Sequence, residues 1–237
     1  MSNTWFRFKQ FMINQDRCAM KITTDACIQG AWTAVLPEVK TVLDIGAGTG
    51  LLSLMLAQRC PGIHIDAIEF EEGAASQAKE NVALSDWKEQ INVIEGDARS
   101  YTYPHKYDLI ISNPPFFHDS LLGPGEEKNM SRHTLSLNYQ NLIQIFENNL
   151  SQYGYISILL PATEYNIWHS LASSRNWMEV GKLSVKNNSK SPVNRVVGLW
   201  SKNSNLSFPT QELEIRDVQN EYSPFFKQLL SPYYLGL

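Results

Sequence analysis

Short apolar runs and helix-period segments alternate along the middle of the chain. Runs rich in β-branched and apolar residues predict strands, and longer segments with apolar residues every three to four positions predict helices. The predicted strands are Thr41–Ile45, Ile63–Glu69, Ile91–Glu95, Tyr107–Ser112 and Tyr155–Leu160, and the predicted helices are Leu51–Arg59, Glu71–Ser85, Asn138–Leu150 and Glu164–Arg175. This alternation is typical of right-handed crossovers and of a mostly parallel sheet with helices on both faces.

The N-terminal region, residues 1–40, precedes this alternation. Phe6–Lys9 alternates apolar and polar residues and predicts a short strand. A helix is predicted over Thr24–Val35, because Thr24 or Asp25 can cap its start and Pro37 can end it. We therefore expect a strand and helix extension over residues 1–40, followed by one compact domain over residues 41–237.

The C-terminal strands predict a change of direction in the sheet. Val180–Val185 and Val193–Trp200 are separated only by a loop, so they form a hairpin in which one strand is antiparallel to the rest. The tail adds a candidate strand at Glu212–Ile215 and a helix at Ser223–Leu230. The sequence thus predicts an α/β, Rossmann-like fold with a mostly parallel, seven-stranded sheet and an antiparallel strand near its C-terminal end.

Composition limits the class of protein. The chain has 237 residues, of which 43% are hydrophobic and 19% charged, as in a packed globular protein. Met1–Phe8 lacks the apolar region of a secretory signal, and apolar runs such as Ile156–Leu160 are too short to cross a bilayer. Three scattered cysteines fit a reducing cytoplasm, and five scattered histidines show no metal-ligand spacing. These residues are Cys18, Cys27 and Cys60, and His64, His105, His118, His133 and His169.

Charge gives only local hints about partners. The net charge of −4 argues against binding nucleic acid by bulk attraction, but it allows a local basic face. Residues 1–21 carry four basic residues against one acidic residue, and residues 175–202 carry six against one. From charge alone, these stretches are equally consistent with RNA contacts and with ordinary solvated surfaces.

A glycine-rich turn, Asp44–Gly50, follows the first predicted strand of the domain and opens a helix. Glycines let a backbone turn sharply and approach a ligand, and the helix start adds unpaired N–H groups. Alone, such a turn is a weak signal. Glu69 ends the next strand, where a carboxylate can accept hydrogen bonds from ribose hydroxyls. Asp97, beside Ala98 after the third strand, can accept from an adenine amine or can simply form a turn.

The turn resembles the first motif of class I methyltransferases. The resemblance implies S-adenosylmethionine as cofactor, with the turn facing its amino-acid part. A nicotinamide site would need glycine where this chain has Leu51, so hydride transfer is disfavoured. The cofactor-binding residues predicted from the turn and the following strand ends are Asp44, Gly46, Gly48, Gly50, Glu69, Asp97 and Ala98.

The tetrapeptide Asn113–Phe116, Asn-Pro-Pro-Phe, follows the strand Tyr107–Ser112. Prolines cannot donate to a sheet ladder, so they stiffen a loop. The Asn113 side chain and the Pro114 carbonyl can accept both hydrogens of an NH₂ group and prepare its lone pair for attack on a methyl group. Phe116 offers a face for stacking. Without the cofactor residues, a rigid turn over an apolar plug would be the better interpretation.

The tetrapeptide resembles the signature of amino-methyltransferases, a group that includes adenine-N6, cytosine-N4, rRNA guanine-N2 and protein glutamine enzymes. The N-terminal segment resembles more specifically the bacterial tRNA1(Val) (adenine(37)-N6)-methyltransferase family, through Phe8–Phe11 and Asp16–Asp25. That resemblance continues at Asn194–Val197 and, in the C-terminal tail, at Tyr222, Phe226 and Tyr233–Leu235, and so touches nearly the whole chain. It implies methylation of the N6 amine of adenine 37, next to the anticodon of tRNA1(Val), by a cytoplasmic monomer.

The same resemblance assigns further residues. Thr24, at the start of the first helix, would close over the cofactor, which Asn113 would also contact. Arg132 and His133 would be an RNA-contact or lid element, although an ordinary polar stretch before a helix is an equal alternative. The RNA-binding residues suggested are Lys9, Arg17, Lys21, Arg132, His133 and Arg195.

Two departures keep alternatives open. Phe116 stands where adenine enzymes commonly have Tyr, and Asn113–Asp119 partly resembles rRNA guanine-N2 enzymes. The second hypothesis is therefore an N-methyltransferase acting on rRNA guanine N2 or on a protein glutamine. The third is a non-catalytic RNA-binding module, and the complete set of Asp44, Glu69, Asp97 and Asn113 argues against it.

Overall fold

The structure, a computed structural model, describes residues 3–114 and 138–237. Its strands are β1 (Trp5–Arg7), β2 (Met12–Asn14), β3 (Thr41–Ile45), β4 (His64–Glu69), β5 (Ile91–Glu95), β6 (Tyr107–Ser112), β7 (Leu150–Pro161), β8 (Met178–Lys186), β9 (Val193–Ser201) and β10 (Thr210–Glu214). Its helices are α1 (Thr24–Trp32), α2 (Leu51–Arg59), α3 (Glu72–Ala83), α4 (Tyr139–Asn149), α5 (Ala162–Ser174) and α6 (Pro224–Leu230).

The main sheet has eight described strands in the order β10-β8-β9-β7-β6-β3-β4-β5. All neighbours in it are parallel except β9, which runs antiparallel to both β7 and β8. The predicted α/β fold and its antiparallel hairpin are confirmed, but the predicted count of seven strands is wrong. The eighth, β10, lies at the edge beside β8, and only Leu213 in it is buried, so its sequence carries a weak strand pattern.

The direction of strand addition reverses at β3. The chain proceeds outward from β3 to β4 and β5, then returns to place β6 on the other side of β3. In open α/β sheets, ligands bind at the carboxyl ends of the strands around such a switch point. Ile45, Glu69, Glu95 and Ser112 end these four strands, so the loops that follow them meet at one edge.

Two apolar layers hold helices against the sheet. In β6, Leu109 joins the cluster beneath α1 and α2, while its neighbour Ile110 joins the cluster beneath α4 and α5. Both residues are fully buried, as expected for a central parallel strand covered on both faces. The sheet is therefore a rigid platform for the loops at its carboxyl edge.

Several boundaries differ from the predictions for local physical reasons. Thr23, not Thr24 or Asp25, caps α1, since its side chain accepts from the Ala26 amide at 3.2 Å. The helix ends at Trp32 rather than Val35, because the backbone of Thr33 leaves helical geometry with ψ of 113°, while its amide still donates to the Gln29 carbonyl at 2.9 Å. β7 begins at Leu150, directly after α4 and well before the predicted Tyr155.

The N-terminal extension is joined to the C-terminal tail. β1 pairs with β2, which the sequence did not predict, and Phe8 forms an isolated bridge with Tyr234. The rings of Phe8 and Phe11 stack at 4.5 Å. Both chain ends thus contribute to the packing around α1 and α2.

Candidate active site

A cavity of about 370 Å³ opens at the carboxyl ends of β3, β4 and β5. Its wall is mainly apolar, with a few polar groups at defined positions, which is typical of small-molecule sites. It contains six of the residues predicted to bind the cofactor: Gly46, Gly48, Glu69, Asp97, Ala98 and Asn113. The structure therefore brings together residues that lie up to 67 positions apart in the sequence.

Gly46 and Gly48 line the floor of the cavity in left-handed conformations, with φ of 73° and 56°. A Cβ atom on either would meet nothing within 4 Å, so the requirement for glycine is conformational. The amides of Gly46 and Ala47 donate to the Ile68 carbonyl at 2.9 and 3.1 Å, which fixes the turn against β4.

Glu69 links two loops around the cavity. Its Oε2 accepts from the Gly48 amide at 2.8 Å, and its Oε1 accepts from the Glu71 amide at 3.0 Å. A carboxylate offers about four acceptor positions, so both oxygens can still accept from a ligand. The predicted hydroxyl-binding group is thus held in place before any ligand arrives.

Asp97 is already paired with Arg99, which the sequence analysis did not single out. The Arg99 Nε lies 2.9 and 3.0 Å from the two Asp97 oxygens, and its amide donates to Asp97 at 2.9 Å. These hydrogen bonds lower the pKa of Asp97. The only signal in the sequence was an arginine two residues after the aspartate, a spacing too common to be informative.

Asn113 follows β6 and faces the cavity. Its Oδ1 is buried and has no hydrogen-bond partner among the described residues. A buried oxygen without a donor costs about 1–3 kcal/mol, and an N–H group of a ligand in the cavity would offset this cost. Pro114 is buried next to it, whereas Phe116 lies outside the described residues.

A buried amide supports the strand end behind Asn113. Gln29 of α1 donates to the Ser112 carbonyl at 3.0 Å and lies 3.4 Å from Ser157 of β7. Ser112 in turn donates through its hydroxyl to the Ile45 carbonyl at 2.8 Å. Sequence reasoning missed Gln29, because a single glutamine in a helix carries no pattern.

Three residues predicted to bind the cofactor do not line the cavity. Asp44 is fully buried and accepts from the Ser53 hydroxyl at 2.7 Å, and burial raises the pKa of Asp44 to about 7. Gly50 caps the start of α2 with φ of 81°. Thr24 is exposed in the first turn of α1. Asp44 and Gly50 therefore shape the turn from behind rather than forming its surface.

Part of the cavity wall comes from the N-terminal extension. The segment Cys18–Ile22 lines the cavity together with the glycine turn, and Met20 remains 44% exposed there. Phe70, next to Glu69, also lines the cavity and is 60% exposed. Neither Met20 nor Phe70 was predicted, although large apolar side chains in loops beside a predicted site were a usable signal.

The predicted RNA-binding residues lie in different environments. Lys21 lines the cavity, and its Nζ lies 3.3 Å from the Asn3 carbonyl. Arg17 forms an ion pair with Glu80 of α3. Arg195 of β9 forms an ion pair with Asp25 of α1 at 3.1 Å.

Lys9, another residue predicted to bind RNA, does not line the cavity. It donates to the carbonyls of Ser231 and Leu237 at 2.6 and 3.1 Å and so secures the C-terminal tail. Arg132 and His133 lie outside the described residues. Whether any of these residues binds RNA stays a prediction.

Within the described parts of the chain, no group of His, Cys, Asp and Glu side chains could hold a metal ion. The helices described there are also too short or too polar to cross a membrane.

Residues 31–150 match the family model of the methyltransferase small domain. Solved structures with this fold include a predicted O-methyltransferase from Agrobacterium tumefaciens, with a TM-score of 0.67, 16% identity and coverage of 88% of this chain and 96% of that one. Another is the hMettl16 catalytic domain in complex with a 3′UTR hairpin, with a TM-score of 0.52, 17% identity and coverage of 73% and 67%. At these identities the likeness shows the fold alone.

Full-length relatives are more informative. The chain is 40% identical to a tRNA1(Val) (adenine(37)-N6)-methyltransferase of Bacteroides thetaiotaomicron over 100% of both chains. It is also 40% identical to the protein of that name in Tolumonas auensis, over 98% of this chain and 97% of the relative. The identity to the protein of that name in Yersinia pseudotuberculosis is 37%, over 98% of this chain and 92% of the relative. The chain therefore belongs to the tRNA1(Val) (adenine(37)-N6)-methyltransferase family.

Proposed function

We propose that the protein transfers a methyl group from S-adenosylmethionine to the N6 amine of adenine 37 in tRNA1(Val). The observation that carries the proposal is the buried Oδ1 of Asn113, which lacks a described partner in the wall of a preformed cavity. The names of the full-length relatives support the choice of substrate.

The residues present fit the proposed cofactor. Gly46 and Gly48 leave open space above the backbone for its amino-acid part, and Glu69 has acceptor positions left for two ribose hydroxyls. Asp97 and Ala98 would hold its adenine, and Phe70 lines the same cavity. The cavity volume of about 370 Å³ falls within the range of small-molecule sites. When bound, the cofactor supplies an electrophilic methyl group on a cationic sulfur.

The chain's own groups would position the amine. The Asn113 Oδ1 and the Pro114 carbonyl each accept one N6 hydrogen, which draws the nitrogen lone pair out of the plane of the ring. This is positioning and electrostatic preorganisation, and it needs no strong base. Phe116 would stack on the extruded base, and an anticodon-loop adenine costs little to extrude because it is not in a duplex.

We further propose that residues 1–40 act as an extension that closes the cavity and that residues 41–237 form the methyltransferase domain. The segment Cys18–Ile22 supports this division, because it lines the same cavity as the glycine turn. A monomer is sufficient, since one chain supplies both segments. The three cysteines are free, which suits a cytoplasmic enzyme working beside its tRNA.

The decisive experiment is nucleoside mass spectrometry of tRNA1(Val) from a strain that lacks the gene. We expect N6-methyladenosine to disappear and to return on complementation. Unchanged N6-methyladenosine would overturn the proposal. Transfer of labelled methyl groups by the purified protein to separated tRNA, rRNA and release-factor pools distinguishes the adenine substrate from rRNA guanine and protein glutamine.

A further inference from the structure

The basic stretch of residues 175–202 is mostly neutralised within the protein. Five of its six basic side chains form ion pairs: Arg175 and Lys202 with Glu147, Lys182 with Glu179, Lys186 with Glu212, and Arg195 with Asp25. Lys190 is exposed, and its ammonium group has no ion pair or hydrogen bond with the residues that the structure describes. Its charge is therefore available to a partner.

The strand register places Lys190 above the catalytic edge of the sheet. Ser112 of β6, Ile158 of β7, Gly198 of β9 and Lys182 of β8 lie in one row. β8 continues four residues past this row, or about 13 Å, before the turn of residues 187–192 begins. β9 and β8 lie two and three strands from β6, which is roughly 10–14 Å to the side.

The turn holds Lys190 on a fixed backbone. The Asn188 Oδ1 accepts from the Lys190 amide and from the Ser191 hydroxyl, both at 3.0 Å. The Arg216 amide donates to the Asn187 carbonyl at 2.9 Å, which ties the turn to the segment after β10. A preorganised backbone lowers the entropy lost when the lysine binds a partner.

We infer that the turn of residues 187–192 binds the sugar–phosphate backbone of the RNA substrate, with Lys190 neutralising one phosphate a few nucleotides from the methylated base. This inference rests on the proposed function. The geometry puts the Lys190 backbone on the order of 15–20 Å from Asn113, too far to touch the extruded base. An ammonium group at that distance positions the RNA and reads no sequence.

The test is the affinity of the full-length protein for tRNA1(Val) measured across salt concentrations. Neutralising one phosphate contributes about 0.7–0.9 to the slope of log affinity against log salt. Lys190→Ala should therefore bind tRNA roughly five- to eightfold more weakly than wild type at 0.1 M salt. The affinities of the two proteins should become equal near 1 M salt. At saturating tRNA, kcat should change less than twofold, because Lys190 does not contact the reacting atoms.

Two variants serve as controls. Lys190→Arg keeps the charge and should keep the wild-type salt slope. Lys88→Ala removes an exposed lysine just before β5, at the opposite edge of the sheet, and should leave the affinity unchanged. If Lys190→Ala matches Lys88→Ala in affinity and slope while wild type methylates tRNA, the inference is overturned and the proposed function stands. If wild type transfers no methyl group to tRNA, the proposed function fails.

Discussion

Polar groups at the carboxyl ends of β4 and β5 differ from those at the end of β6 in their bonding. Glu69 accepts from the amides of Gly48 and Glu71, and Asp97 accepts from Arg99. Asn113, after β6, keeps a buried Oδ1 with no described partner. The proposed cofactor side is thus satisfied before binding, whereas the proposed acceptor side is left for a donor to complete.

The difference has a physical cause. A partly buried carboxylate without donors is costly, so Glu69 and Asp97 are bonded within the protein and keep spare acceptor positions for a ligand. A neutral amide oxygen can be left unpaired for about 1–3 kcal/mol, which an incoming N–H group restores. We therefore expect the proposed cofactor side to determine the affinity for the methyl donor and the proposed acceptor side to determine the rate of transfer.

The largest effect should come from Asn113→Ala, which removes the unpaired acceptor. We expect kcat to fall about 10²–10³-fold, as when one preorganised electrostatic group is deleted from an active site. Cofactor affinity should change only a few-fold, since the bonded groups of the other side remain. Methyl transfer at saturating substrates and calorimetric titration of the cofactor measure the two quantities separately.

Asn113→Asp is the matched control, because it keeps an oxygen at the same position. It should retain more activity than Asn113→Ala at equal stability. Loss of cofactor binding in Asn113→Ala, with the rate preserved per bound cofactor, would contradict the division between the two sides.

Glu69→Ala tests the division from the cofactor side. Removing hydrogen bonds to a charged group should weaken cofactor binding about 10- to 100-fold. At saturating cofactor, kcat should stay within a few-fold of wild type. Glu69→Gln keeps one acceptor oxygen, so its affinity for the cofactor should lie between those of wild type and Glu69→Ala. A loss of kcat as large as in Asn113→Ala would show that Glu69 also acts on the acceptor.

The sequence was sufficient to predict a helix or strand wherever that element is determined by its own pattern of apolar and polar residues. Leu51–Arg59 and Tyr107–Ser112 were predicted with their observed bounds, because apolar periodicity and the following loop residues define each element locally. β10 was not counted in the sheet, since its pairing with β8 depends on a distant partner rather than on its own mostly exposed residues. The first residues of β7 were missed for a related reason, because Leu150 pairs with Tyr107.

The candidate site shows the same limit. The glycine turn, Glu69 and Asp97 could be found because each lies at the end of a predicted strand or shortly after it. Gln29 contacts a carbonyl 83 residues away, so no local pattern could reveal it. Asp44 shows a different limit, since motif position suggested a ligand contact, and only the structure shows that its carboxylate is buried against Ser53. Its contact with a ligand stays a prediction.

Gln29→Leu tests whether the acceptor side needs support from behind. It leaves the Ser112 carbonyl without this donor, so stability should fall by about 1–3 kcal/mol. Slight misplacement of Asn113 should lower kcat about tenfold while cofactor affinity is unchanged. Thr33→Val is the control, because it removes the 2.7 Å hydrogen bond to Ser157 without touching Ser112. Equal kcat values in Gln29→Leu and Thr33→Val would show that Gln29 contributes to stability and not to the position of Asn113.

The smallest effect should come from Arg99→Gln, which removes the partner of Asp97 on the cofactor side. The Arg99 hydrogen bonds hold the pKa of Asp97 below its ordinary value of 3.8, so the ionised pair stabilises the fold above that pH. This contribution is lost as the pH falls through the lowered pKa of Asp97. The variant should therefore be less stable by roughly 0.3–1 kcal/mol at neutral pH, since the pair is partly exposed, and should approach wild type in acid. Urea unfolding of both proteins from about pH 7 to about pH 3 measures the difference. A difference in stability that stays constant across this pH range would mean that Arg99 acts through packing. The position of Asp97 before a ligand binds would then not depend on the charge of Arg99.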